Sequence, residues 1–202
     1  STFSLWDTYR AAHPLYTIVQ RKRSADFINS MLRQYNDYGY LPIWQLWGEE
    51  TYCMIGNHAI PVIVDAYFKG IEGIDWNHAY DAIRASSTTP HKNSPFNILN
   101  EYGFFPENLQ TQSVSITLEI AYNDWCLSQM AQSLGRIDDY KFFLNRSKSY
   151  YNLFDKTIGF FRAKDNKGDW IEPFDPLKYG GNGGYPFTEG NGWQYLWYVP
   201  HD

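Results

Sequence analysis

Apolar residues recur along this chain at helical spacing. After Ser4, which reads as a cap, Leu5, Trp6, Tyr9, Leu15 and Ile18 line one segment, and Pro14 bends or ends its first part. Asp26 reads as the next cap. Behind it Phe27, Ile28, Met31, Leu32 and Tyr35 fall three or four apart, and Gly39 to Pro42 is a stop and turn. Met54 to Phe68 reads as a helix that tolerates Pro61 and ends at Gly70, and Asn77 to Ala85 as a shorter one. Ser86 to Gln110 is rich in Pro, Asn, Ser and Thr, which predicts a long loop. Ser113 to Leu134 is apolar almost all round. Ile116, Ile120, Leu127 and Met130 lie on one side, and Leu118, Tyr122 and Trp125 on another, so a helix buried on most faces is expected. Gly135 stops it. Asp138 then starts a helix with one stripe, carrying Tyr140, Phe143, Leu144, Tyr151 and Phe154. Ile158 to Gly184 reads as loop, and a last helix begins near Thr188 or Asn191. Alternation with period two is nearly absent. The chain is therefore expected to be all-α, with about seven helices.

Two helix types alternate in this pattern: one buried on most faces, one with a single apolar stripe. Two concentric rings of helices require that alternation, which points to an α/α toroid of the six-hairpin (α/α)6 type. Six helix pairs close such a ring, so residues 1–202 read as about its first half. Loops between pairs gather at one end of a toroid, where functional residues on a rigid scaffold tend to sit.

Composition narrows the partners. With 44% hydrophobic and 19% aromatic residues the chain has material for a sizeable core. The net charge of -5, with Arg21-Lys22-Arg23 as the one basic run, argues against nucleic acid. No run of about 18 apolar residues predicts a membrane span. The first residues lack a secretory leader pattern, and the start at Ser1 reads as a processed or excised chain. Cys53 and Cys126 lack zinc-site spacing and read as residues of buried helices.

Four clusters mix acids, amides and aromatics: Leu5 to Arg10, Leu41 to Thr51, Asp169 to Pro176, and Phe187 to Trp197, which reads FTEGNGWQYLW. Flat Trp and Tyr faces stack on the C–H face of a sugar ring, and Asp, Asn, Gln and Arg reach its hydroxyls, so such sites suit a neutral polyol. Each cluster also has a plain structural reading. Trp6 and Trp44 fit a core, Asp7 and Arg10 fit a surface pair, and Glu49 and Glu50 fit a solvated turn. Thr188 with Asn191 fits a helix cap, with Glu189 a first-turn acid. Gly180 to Gly184 lacks the Lys and Ser/Thr of a phosphate loop.

Taken together, four runs resemble the glycoside hydrolase family 92 α-mannosidases: FSLWDTYRAAHPL (Phe3 to Leu15), LPIWQLWGEETYCMIGNHAIPVIVDAYFKGI (Leu41 to Ile71), SVSITLEIAYNDWCLSQMAQSLG (Ser113 to Gly135) and GGYPFTEGNGWQYLWYVPHD (Gly183 to Asp202). The last is the most specific. The resemblance implies an exo-acting, inverting, calcium-dependent enzyme on mannose-containing glycans, α-1,2-mannosidase-like, with a β-sandwich domain ahead of the toroid. It implies Glu189 as general acid and Asp7 as a residue lining the mannose site. Glu50, His58, Asn191 and Gln194 become substrate-binding candidates. It also implies a secreted, periplasmic or cell-surface location.

Departures from the family pattern matter as much. The later motifs that carry the general base and the main Ca2+ ligands are absent from these residues, as is the sandwich domain, so the rest of its own polypeptide is expected to complete the site. Gly192 stands where Ala is usual. Trp193 and Trp197 are expected to desolvate Glu189 and raise its pKa. Two other readings of the residues stand beside this one: another α/α-toroid glycosidase, such as a glucosidase, or a non-catalytic carbohydrate-binding fragment.

Overall fold

The computed structural model describes residues 2–181 and 185–198. Asn182 to Gly184 and the VPHD stretch of the fourth run lie outside the described residues. The chain is helix-rich. Its helices are α1 (Leu5–Thr8), α2 (Ala12–Val19), α3 (Arg21–Tyr38), α4 (Ala59–Phe68), α5 (Trp76–Ser86), α6 (Phe96–Tyr102), α7 (Ser113–Ser133), α8 (Ile137–Arg146) and α9 (Tyr195–Tyr198). A 3-10 turn covers Ser149–Leu153. The described strands are two small antiparallel pairs, β1 (Gln45–Leu46) with β2 (Glu49–Glu50), and β3 (Phe154–Asp155) with β4 (Phe160–Phe161).

Several boundaries differ from the sequence pattern, each for a local reason. Asp26 lies inside α3 rather than capping it. The helix starts five residues earlier, at Arg21, whose guanidinium reaches the carbonyls of Thr17, Lys69 and Gly70. α4 begins only at Ala59, because Gly56 adopts a left-handed φ of 76° and turns the chain. Pro61 then falls in the first turn, where its missing N–H removes no helical bond. Within the supposed loop from Ser86 to Gln110, α6 buries Phe96 and Leu99 and stops at Gly103 in the left-handed region. The stripe beginning at Asp138 is not one helix. α8 ends at Arg146, and Phe154 pairs in a strand. Cys53 is exposed in a loop, not on a buried helix, while Cys126 is buried in α7. Trp125, expected on a buried face, is substantially exposed.

α7 organises the core. Cys126, Leu127, Met130 and Ala131 belong to the cluster formed with α3, α4 and α5. Val114 and Leu118 join Leu153, Phe161, Phe187 and Tyr195. Ile116 and Ile120 pack with Trp6, Ile55, Phe96 and Phe105. A helix that enters three clusters buries most of its surface, as its near-continuous apolar pattern implies. Several of its polar residues are buried too, among them Ser115, Glu119, Asn123 and Asp124. Asp124 pairs with Arg146 at 2.7 Å, tying α8 to α7, and burial pushes the Asp124 carboxyl up against the lowering effect of that arginine. Among the described residues, no helix is long and apolar enough to cross a membrane.

Candidate active site

Ser115, Glu119 and Asn123 are spaced four apart, so they share one face of α7. Ser115 Oγ accepts the Thr188 backbone N–H at 2.8 Å, and the Ser115 N–H reaches the Pro186 carbonyl at 3.2 Å. Thr188 Oγ1 bonds Gln112, and the Tyr195 hydroxyl donates to the Thr188 carbonyl at 2.7 Å. Two residues further on, the Gly180 N–H donates to the Gly190 carbonyl at 2.8 Å. Close approach requires both glycines. A Cβ on Gly180 would stand 2.3 Å from the Phe187 carbonyl oxygen, and one on Gly190 2.9 Å from the Tyr195 ring. Glu189 sits between these fastenings at φ 47°. A side chain in the left-handed region costs about 1–3 kcal/mol and persists only where its surroundings over-determine it. Here the residues on both sides are tied down.

Glu189 opens onto a cleft of about 500 Å³. Trp6, Trp193 and Trp197 supply aromatic faces, Gln194 supplies an amide, and Glu189 is the one carboxylate among the lining residues. Glu189 itself is exposed, and Trp193 and Trp197 are 53% and 72% exposed. Within these residues the two tryptophans flank the acid and leave it exposed.

The other candidates fall into two groups. Gln194 lines the cleft. Asn191 stands beside it as a cap, its Oδ1 accepting the Gln194 N–H at 2.9 Å and its Nδ2 donating to the Leu177 carbonyl at 3.4 Å. Asp7 is exposed on α1, next in sequence to the cleft residue Trp6. Glu50 and His58 are not among the residues that line the cleft. Both Glu50 oxygens are occupied by backbone: Oε2 accepts from Ile43 at 2.7 Å, and Oε1 from Trp44 and Tyr52 at 2.9 Å each. Glu50 thus braces the loop that carries β1 and β2. His58 is 1% exposed and stacks on Tyr9 at 4.0 Å between centroids.

Sequence reasoning passed over Glu119. It is 0% exposed, and its Oε1 accepts the Trp6 indole N–H at 3.0 Å. Arg10 Nη2 stands 3.6 Å from the same oxygen, with its guanidinium 4.7 Å from the Tyr9 ring centroid. His58 Nε2 lies 2.9 Å from Glu119 Oε2, within ion-pair range though not aligned as a linear hydrogen bond. A buried carboxylate persists only with such company. The signal was available: an acid in the middle of an apolar run is rarely idle.

Calcium takes six to eight oxygen ligands. Among the described residues no group of three or more His, Cys, Asp or Glu is gathered to hold a metal ion.

The cleft thus offers one acid and an amide among aromatic faces on a helical scaffold. The model of the glycosyl hydrolase family 92 catalytic domain matches residues 1–202, and the chain belongs to that family. It is 44% identical, with a TM-score of 0.93 over 100% of its length, to a family 92 α-mannosidase of Bacteroides thetaiotaomicron solved in complex with mannoimidazole. It is 35% identical, with a TM-score of 0.91 over 99% of its length, to a family 92 inverting mannosidase of Bacteroides thetaiotaomicron. An uncharacterized secreted glycosidase of Arthroderma benhamiae is 26% identical over 96% of this chain. The chain spans 27% of each of those two mannosidases and 29% of the fungal protein.

Proposed function

We propose that the complete enzyme removes terminal α-linked mannose from glycans with inversion, as an α-1,2-mannosidase-like exo-glycosidase whose general acid is Glu189. The observation that carries this reading is the tryptophan-walled cleft in which Glu189 is the lining carboxylate. An inverting glycosidase sets its acid and base on opposite faces of the sugar, roughly 6.5–9.5 Å apart, leaving room for water. Glu189 protonates the departing glycosidic oxygen. The base that activates water belongs to residues beyond this chain. The indole faces stack on the ring, and the Gln194 amide meets a hydroxyl. Calcium belongs to the same reading, held by ligands from the rest of the polypeptide, and no step here is routed through it. This chain then forms about the first half of an (α/α)6 toroid that follows a β-sandwich domain, in a protein that is secreted, periplasmic or at the cell surface.

The test is mannose release from α-linked mannobiose by the full-length enzyme, with calcium and with a chelator. Release that the chelator stops is expected. Glu189→Gln should lower kcat on this poor leaving group by about 10²–10⁴-fold while sparing sugar binding. Unchanged turnover in the variant would overturn the role of Glu189. Glucose release from the matching glucoside, without mannose release, would replace the substrate class.

A further inference from the structure

We propose that Glu119 is a positioning residue of the Glu189 cleft: it holds the Trp6 indole as one wall of the sugar site, and Asn123 and His58 hold Glu119 in turn. The inference rests on the reading of that cleft as a sugar site. The order of the arrangement follows from the donors. The Asn57 backbone N–H donates to Asn123 Oδ1 at 2.8 Å, which leaves the amide Nδ2 facing His58 Nδ1 at 3.1 Å. His58 Nδ1 therefore accepts, and the ring proton stands on Nε2, the atom 2.9 Å from Glu119 Oε2. The imidazole is seated against Gly56, where a Cβ would come within 2.4 Å of Nε2. Oε1 of Glu119 accepts the Trp6 indole N–H, with the Arg10 guanidinium 3.6 Å from the same oxygen.

Asn123, His58 and Glu119 are all buried, so substrate reaches none of them. Their effect on it must pass through Trp6, which lines the cleft. Stability alone is a poor reason for such a group. Hydrophobic residues of similar volume often replace buried charges at no loss, whereas a buried acceptor fixes the edge and tilt of an indole. Ser115, one turn earlier on the same face, fastens the Glu189 turn through Thr188. One stripe of α7 thus sets the tryptophan wall and the acid relative to each other.

The experiment is a double-mutant cycle in the full-length enzyme with Glu119→Gln and Trp6→Phe, read as KM and kcat on α-mannobiose. Glu119→Gln turns an amide N–H toward an existing donor. KM should rise roughly tenfold while kcat changes less. A loss of folded enzyme would instead lower kcat and leave KM alone. In the Trp6→Phe background, which has no indole N–H, Glu119→Gln should raise KM no further. An equal rise in both backgrounds overturns the proposal. Should Glu119→Gln fail to accumulate, His58→Leu closes the same cycle. A readout independent of turnover is the Trp6 indole 1H–15N resonance, identified by its loss in Trp6→Phe. It should move on Glu119→Gln and on addition of mannose, and a resonance that moves with neither also overturns the proposal. Wild-type enzyme that splits no mannoside, yet whose indole answers both to Glu119→Gln and to sugar, sinks the mannosidase reading and leaves the positioning role standing.

Discussion

At the scale of single residues, the strained Glu189 depends on its neighbours' bonds. Tyr195→Phe deletes the donor to the Thr188 carbonyl while keeping the ring in its cluster. A net hydrogen bond is worth about 1 kcal/mol, so the expected outcome is a loss of roughly that much stability in denaturant melts, with kcat falling further than fivefold. His13 makes a different prediction. It is buried among Phe3, Tyr16 and Phe27, and burial lowers its pKa from 6.5 to about 4. The unfolded chain then takes up a proton first as pH falls. The stability this neutral ring provides is complete above the ordinary histidine pKa and declines through the acid side, by roughly 2 kcal/mol between pH 7 and pH 5. His13→Phe should flatten that part of the stability–pH curve, as followed by urea melts at each pH.

At the scale of elements, periodicity located α3, α5, α7 and α8 and failed where polar residues did the organising. α6 was hidden because Phe96 and Leu99 sit among Asn, Ser and Pro, and only tertiary burial selects the helix. The α3 start was hidden because Arg21 fastens it through carbonyls nearly fifty positions away in sequence. The site was half legible. A local run exposed Glu189, Gln194 and the tryptophans, yet the capping role of Asn191 and the bracing role of Glu50 depend on which backbone groups lie near. Glu119 was overlooked because its partners come from positions 6, 10 and 58, which no local pattern joins. The α7–α8 pairing yields its own test. Arg146→Met leaves Asp124 buried without its cation, and breaking a buried pair in this way typically costs about 3–5 kcal/mol. The expected result is a thermal midpoint lowered by several degrees, recovered in part when Asp124→Asn removes the stranded charge.

At the scale of the molecule, the cleft and the core share one support. Residues 1–202 produced alone should release no mannose, because the proposed base lies elsewhere, and adding the missing remainder in trans should restore activity only if the two pieces associate. α7 lies at the junction of the three hydrophobic clusters and also carries Ser115 and Glu119. A site hung on peripheral loops can loosen while its scaffold persists, and such an enzyme loses activity before it melts. Here the opposite order is built in. Inactivation on heating should track the slowest-exchanging amides of α7, with no inactive, fully helical species between the working enzyme and the unfolded chain.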